Sequence, residues 1–243
     1  YPVIALYDSG DTDLCEYHIL LAKLSGIDAF ICDWYGENHY YEDAAFKVMR
    51  DLAEKLSFKI AICWEDQSLF PGYAPDVKTR EEAIKLGQKT IKYLEKEWFS
   101  SGAYLKINNR PVITDYAWGS PGITIKDIWL NSSEWDNILS QTKIRPVLIH
   151  DWHQHYWSPD VFENYESILP WGDNYHGISE EIFDYWTIAN KLLNKNRFSF
   201  ISGTVLPGFD NRGCGGWGEG SAIGLTPRRN GEKFRATWND VLK

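Results

Sequence analysis

The sequence predicts an α/β fold, a (β/α)8 barrel of the TIM type occupying residues 1–243 as one domain. Three features carry that expectation. Short runs rich in Val, Ile, Leu and Phe alternate with amphipathic helical segments, as consecutive βαβ units do. No glycine-rich phosphate loop follows the first strand, which sets aside a dinucleotide-binding doubly wound sheet. Four apolar runs end in an acid next to aromatic residues, so polar chemistry recurs at the same end of successive strands.

Taken in order, strands are expected at Val3–Tyr7, Ala29–Asp33, Lys59–Trp64, Pro111–Asp115, Arg145–His150 and Phe200–Leu206, with a weaker run at Glu166–Trp171. The first helix, DLCEYHILLAKLSG, sets Leu14, Tyr17, His18, Leu21 and Leu24 on one face and stops at Gly26. The second, YEDAAFKVMRDLAEKLS, repeats with Ala45, Val48, Met49, Leu52 and Leu56. The third, TREEAIKLGQKTIKYLEKEWF, opens with a Thr79–Glu82 capping box, in which each side chain satisfies the other residue's backbone N–H. A small extended turn, AYLKINNRPV, leads into the next strand. After the seventh strand come a glycine-rich loop, PGFDNRGCGGWGEGSAIGLTPRRNG, and a helix, EKFRATWNDVLK. The eighth strand is expected within a few residues of Lys243, so the barrel is expected to be incomplete there.

A chain of this length can bury roughly three quarters of its unfolded surface, enough for a full core. No apolar run approaches the ~18 residues of a membrane span, and YPVIALYDSG reads at once as a strand with no charged-then-apolar stretch before it, as expected of a processed or excised N-terminus. The formal charge is -9 and Lys and Arg form no dense patch, which argues against nucleic acid as a partner. Twelve Trp and fourteen Tyr are many for the length. Core packing accounts for part of them, and stacking on the C–H faces of sugar rings is the sharper use. Cys32 and Cys63 fall within strands as small buried hydrophobes, and no Cys/His spacing suggests zinc. A Cys15–Cys214 disulfide has no support in the spacing. Oligomeric state and compartment stay open.

Barrel active sites form at the C-terminal ends of the strands, so the repeated caps acquire a common purpose. Asp33, Glu65, Asp66 and Asp151 are the candidate catalytic acids, with Asp115 in the same kind of cap. Trp34, Tyr35, Trp64, Trp152, His153, Tyr156, Trp171 and Asp210 are the candidate substrate-binding residues, and Tyr116, Trp118 and Trp157 stand near them. Carboxylates for acid/base work and rings for stacking are what a carbohydrate site needs. An Asp after a strand also suits a helix cap or a turn. Strand alternation sends Trp64 and Glu65 to opposite sides. His150, His153 and His155 in HDWHQHYW suit hydrogen bonding to hydroxyls, with metal ligation as the rival reading. No G-x-S-x-G follows a strand. No metal or other cofactor is expected.

The blocks YDSGDTDLCEYHILLAKLSGIDAFICDWYG, KIAICWEDQS, YLKINNRPVI and PGFDNRG…RRNGEKFRATWNDVL resemble, in that order, the glycoside hydrolase family 71/99-like proteins, which include the endo-α-mannosidases of family 99. The resemblance implies a (β/α)8 barrel with an open cleft for an α-linked poly- or oligosaccharide, hydrolysis by a carboxylate pair, and no metal. It also favours a secreted or extracellular setting. The family's catalytic glutamates belong to a W-x-E-G-type segment after the NG…W helix, whose counterpart here would begin after Lys243. Gly216-Trp217-Gly218-Glu219-Gly220 has a similar composition but precedes that helix. Two functional expectations follow: an endo-α-mannosidase-like glycosidase, or a non-catalytic glycan-binding or structural module built on the same barrel.

Overall fold

β1 (Ala29–Trp34) and β2 (Lys59–Glu65) form where the apolar runs predict them and lie parallel, in register from Ala29↔Lys59 to Trp34↔Trp64. The computed structural model describes residues 7–37, 39–116, 130–151, 166–169, 189–191, 193–194, 199–203, 205 and 231–241. The chain divides into two units, Tyr1–Ile149 and His150–Lys243.

In the first unit, α1 (Thr12–Leu24) precedes β1, α2 (Tyr40–Lys55) joins β1 to β2, and α3 (Arg80–Glu97) follows β2. A two-residue strand, β3 (Lys106–Ile107), forms an antiparallel hairpin with β4 (Arg110–Tyr116). Asn108 and Asn109 link them with φ of 51° and 64°, the left-handed pair that a two-residue hairpin turn demands and that Asn tolerates. β4 runs parallel to β2 from Ile62↔Ile113 to Glu65↔Tyr116. α4 (Ser132–Leu139) then leads to β5 (Val147–Asp151), giving the order β1-β2-β4-β5. Long parallel strands buried on both faces read as continuous apolar runs, which is why β2 is buried from Ile60 to Glu65.

Local chemistry sets the helix starts. The Asp11 carboxylate accepts from the N–H groups of Asp13 and Leu14 at the head of α1. The predicted Thr79–Glu82 box is present on α3, and Asn131 and Glu134 build a second one on α4. α1 departs from expectation in the face it buries. Cys15, Ile19 and Ala22 pack inward, whereas Tyr17, Leu21 and Leu24 are exposed, Leu24 at 86%. α1 lies on α2, and its buried Cys15 neighbours Cys32 of β1.

The core between sheet and helices is built on indoles. Trp34 meets Trp64 edge-on at 6.1 Å, Trp64 meets Trp135 of α4 at 5.3 Å, and Trp34 stacks on Tyr93 of α3 at 6.2 Å. Asp43 of α2 ties this cluster together. It accepts from Trp34 Nε1 at 3.1 Å and from the Tyr93 hydroxyl, and pairs with Lys47 at 2.9 Å.

The second unit includes the end of β5 and β6 (Ser167–Leu169), which adjoins β5 in the strand order, and α5 (Glu232–Val241). β6 is the weaker run of the sequence. The segment expected as a strand at Phe200–Leu206 has no strand among its described residues. Its neighbour Ser199 donates to the Glu166 carbonyl at 2.9 Å, and Ser202 Oγ lies 3.3 Å from Ser167 Oγ. Of the run expected at Val3–Tyr7, only Tyr7 is described. No helix among the described residues is long and apolar enough to cross a membrane.

Candidate functional site

Side-chain alternation along β1 and β2 sorts the capping residues by face. In register, Asp33 stands beside Cys63 and Trp34 beside Trp64. Trp34 and Trp64 therefore share the side that packs on the helices, where both are 0% exposed. Expected as sugar-stacking walls, they instead fill the layer between sheet and helices. Asp33, Cys63 and Glu65 project from the other face.

There Asp33 and Glu65 come together. The Tyr35 hydroxyl donates to Glu65 Oε1 at 2.8 Å and lies 3.4 Å from Asp33 Oδ2. Gln67 Nε2 donates to Glu65 Oε2. The two carboxyls are neighbours at the ends of adjacent parallel strands, and the Tyr35 hydroxyl lies between them. Glu65 is only 4% exposed, and burial followed by the Asp33 charge pushes its pKa up to about 8. Asp33 is solvent-exposed along its outer edge, yet its carboxyl is also raised, first by desolvation. Hydrogen bonds from Glu65 and Tyr35 pull it back down. Burial thus favours the protonated form of Glu65 beside Asp33. Burial and both carboxylates keep the Tyr35 phenol protonated, so it acts as a donor throughout.

Rings gather at the same end of β1. Tyr73 stacks on Tyr35 at 5.4 Å and 21°, and His39 touches both rings at 5.6 and 5.7 Å. His39, Gln67 and Tyr73 were not among the sequence candidates. Gln67 could have been found, since it lies two residues past Glu65. Tyr73 and His39 sit in irregular segments whose path the sequence does not set.

Asp66 does different work. It opens the 3-10 turn Asp66–Leu69, is fully buried, and its Oδ2 accepts from the Leu130 N–H at 2.7 Å. Burial, and then the neighbouring Asp115, raise its pKa well above the ordinary carboxylate range. Asp115 pairs in register with Trp64, on the side away from Glu65. Asp151 is the last residue of β5. Trp152, His153, Tyr156, Trp171 and Asp210 lie outside the described residues, as do His155, Trp118, Trp157, Glu219 and Cys214. Cys15, Cys32 and Cys63 are buried free thiols. Among the described residues, no three His, Cys, Asp or Glu side chains are grouped to hold a metal.

A sheet of parallel strands alternating with helices, carrying acids at the strand ends, defines a barrel of the (β/α)8 class, incomplete as described. No family model matches the chain, and no curated protein sequence does. Solved structures do. Two of the GH99 endo-α-mannosidase from Bacteroides thetaiotaomicron, one in complex with bis-tris propane, give TM-scores of 0.72 and, for the complex, 0.70. Their sequences are 17% and 16% identical, with the match covering 98% and 97% of this chain. A glycoside hydrolase-like protein gives 0.68 at 14% identity over 98% of this chain. The matches cover 65%, 68% and 74% of those chains, so this chain spans roughly two thirds of the mannosidase length. The fold is a (β/α)8-type barrel like those of these three structures.

Proposed function

We propose that this chain is a glycosidase-like protein that hydrolyses an internal α-linked bond in a mannose-containing poly- or oligosaccharide. The observation that carries the reading is the meeting of two carboxyls at the ends of adjacent strands, Glu65 buried and Asp33 beside it, with the Tyr35 hydroxyl 2.8 Å from Glu65 and 3.4 Å from Asp33. Paired titratable groups pushed apart by their surroundings are how acid and base roles divide. In the proposed step, Glu65 gives its proton to the glycosidic oxygen as the C1–O bond breaks. The Asp33 carboxylate then faces the positive charge developing at the sugar ring, and water adds its hydroxyl to C1 while its remaining proton passes to the Glu65 carboxylate, restoring the acid. Tyr35 and Tyr73 offer ring edges and hydroxyls to the sugar. Asp66 is assigned to holding the turn. Asp151, Trp152, His153, Tyr156, Trp171 and Asp210 are proposed sugar contacts on sequence grounds.

The test is release of reducing ends from an α-linked mannan by the full chain and by its Glu65→Gln and Asp33→Asn variants. Turnover that falls by about 10²-fold or more in each variant supports the pair, since a positioned acid or base contributes about that much. Binding of the mannan without turnover by the unaltered chain would establish the glycan-binding module instead. Turnover indifferent to both substitutions would remove Asp33 and Glu65 from the chemistry.

A further inference from the structure

We propose that Gln67 is the positioning residue of this site: from the turn after β2, its amide fixes the Glu65 carboxyl against Asp33. Its catalytic meaning rests on the function proposed above, but the positioning itself is a property of the folded chain. A short turn at a strand end could adopt many paths, and this one is held at both ends. The Asp66 carboxylate accepts from Leu130 N–H at 2.7 Å, and Trp64 Nε1 donates to Ser68 Oγ at 3.1 Å. Phe70 N–H closes on the Gln67 carbonyl at 3.0 Å, and Asp66, Gln67, Ser68 and Leu69 are all buried. Gln67 therefore leaves the backbone in one direction, and its amide N–H reaches Glu65 Oε2 while Tyr35 occupies Oε1. With one neutral donor on each oxygen, the plane of the carboxyl is fixed from both sides.

The residue type is as telling as the contact. The titratable groups around Glu65 are Asp33 and Tyr35 from β1, Cys63 of β2, Asp66 and Tyr73 beyond it, and Tyr116, its register partner on β4. A cation at position 67 would ionise Glu65 and take its proton away. An apolar side chain would leave Oε2 without a donor in a buried place. The neutral amide orients the carboxyl while leaving the proton on it. The sequence WEDQS thereby divides its labour: Trp64 packs, Glu65 carries the proton, Asp66 and Ser68 hold the turn, and Gln67 aims the carboxyl.

The test is a carboxyl 13C NMR titration of the full chain, with the Glu65 resonance assigned by its loss in Glu65→Gln. A hydrogen bond to the ionised form favours that form, so Gln67→Met should move the Glu65 midpoint upward by about one pH unit. Gln67→Lys should move it downward, below the wild-type midpoint. Opposite shifts are what positioning at Glu65 predicts, and a purely structural role for residue 67 would not produce them. If Gln67→Met fails to fold, Gln67→Asn, too short to reach Oε2, takes its place with the same upward shift expected. Midpoints unchanged in folded variants overturn the proposal. The titration needs no substrate, so shifts without any mannan turnover would leave Gln67 in its role and sink only the glycosidase reading.

Discussion

Replacing Asp43 by Ala tests whether the strand bearing Asp33 and Tyr35 is held from behind. Asp43 is 6% exposed and serves three partners: Trp34 Nε1 at 3.1 Å, the Tyr93 hydroxyl, and Lys47 at 2.9 Å. Removing it strands one donor in the core, the Nε1 of the wholly buried Trp34, whereas the half-buried Tyr93 hydroxyl keeps Lys47 as a partner. The stranded donor costs about 1–3 kcal/mol. The Lys47 ammonium is partly solvated and adds about 0–1 kcal/mol. The expected loss is therefore about 1–4 kcal/mol. Urea unfolding followed by Trp fluorescence measures it, and Lys47→Ala should cost under about 1 kcal/mol in the same assay. A loss below about 1 kcal/mol for Asp43→Ala would refute the reasoning, since an orphaned buried indole N–H could not be that cheap.

Three further outcomes follow from the same geometry. Asp33→Asn removes the charge that helps raise Glu65, so the Glu65 pKa should fall and the alkaline limb of the pH–rate profile move to lower pH; an unmoved limb would show the two groups to be uncoupled. Stability should also depend on Glu65: a folded pKa of about 8 lies above the ordinary 4.5 of an exposed Glu, so its contribution is complete below about pH 4.5 and is lost as pH rises through 8. Glu65→Gln should flatten that decline in thermal denaturation scans between those values, and an unchanged pH slope would contradict the assignment. Gly87→Ala would bring a Cβ within 2.5 Å of Ile138 Cδ1 and 3.2 Å of Leu69 Cδ1 where α3 meets α4. Overpacking of this kind costs about 1–3 kcal/mol, and Ile138→Val should recover part of it in a double-mutant cycle.

Much of the fold was legible because parallel strands buried on both faces announce themselves as apolar runs, and because caps such as Thr79–Glu82 are local. The buried face of α1 was not. Its helix carries two overlapping apolar stripes, and periodicity favours the larger residues Leu21 and Leu24 over Cys15 and Ala22. The folded chain buries the smaller set. The acids of the site were legible as strand caps, yet their company was not. Asp33, Trp34, Glu65 and Asp66 look alike from sequence, and only the β1–β2 register shows that Trp34 and Trp64 pack inward while Asp33 and Glu65 meet. Tyr73 reaches Tyr35 through a loop whose course no periodicity encodes.

The central claim is that Glu65 delivers a proton to a glycosidic oxygen with Asp33 beside it. A crystal structure of the Glu65→Gln variant bound to an α-linked mannotetraose tests this most directly. The account predicts the scissile oxygen within about 2.6–3.2 Å of the amide at position 65, with Asp33 facing the ring on its C1 side. A glycan bound with its linkages away from residues 33 and 65 would contradict it.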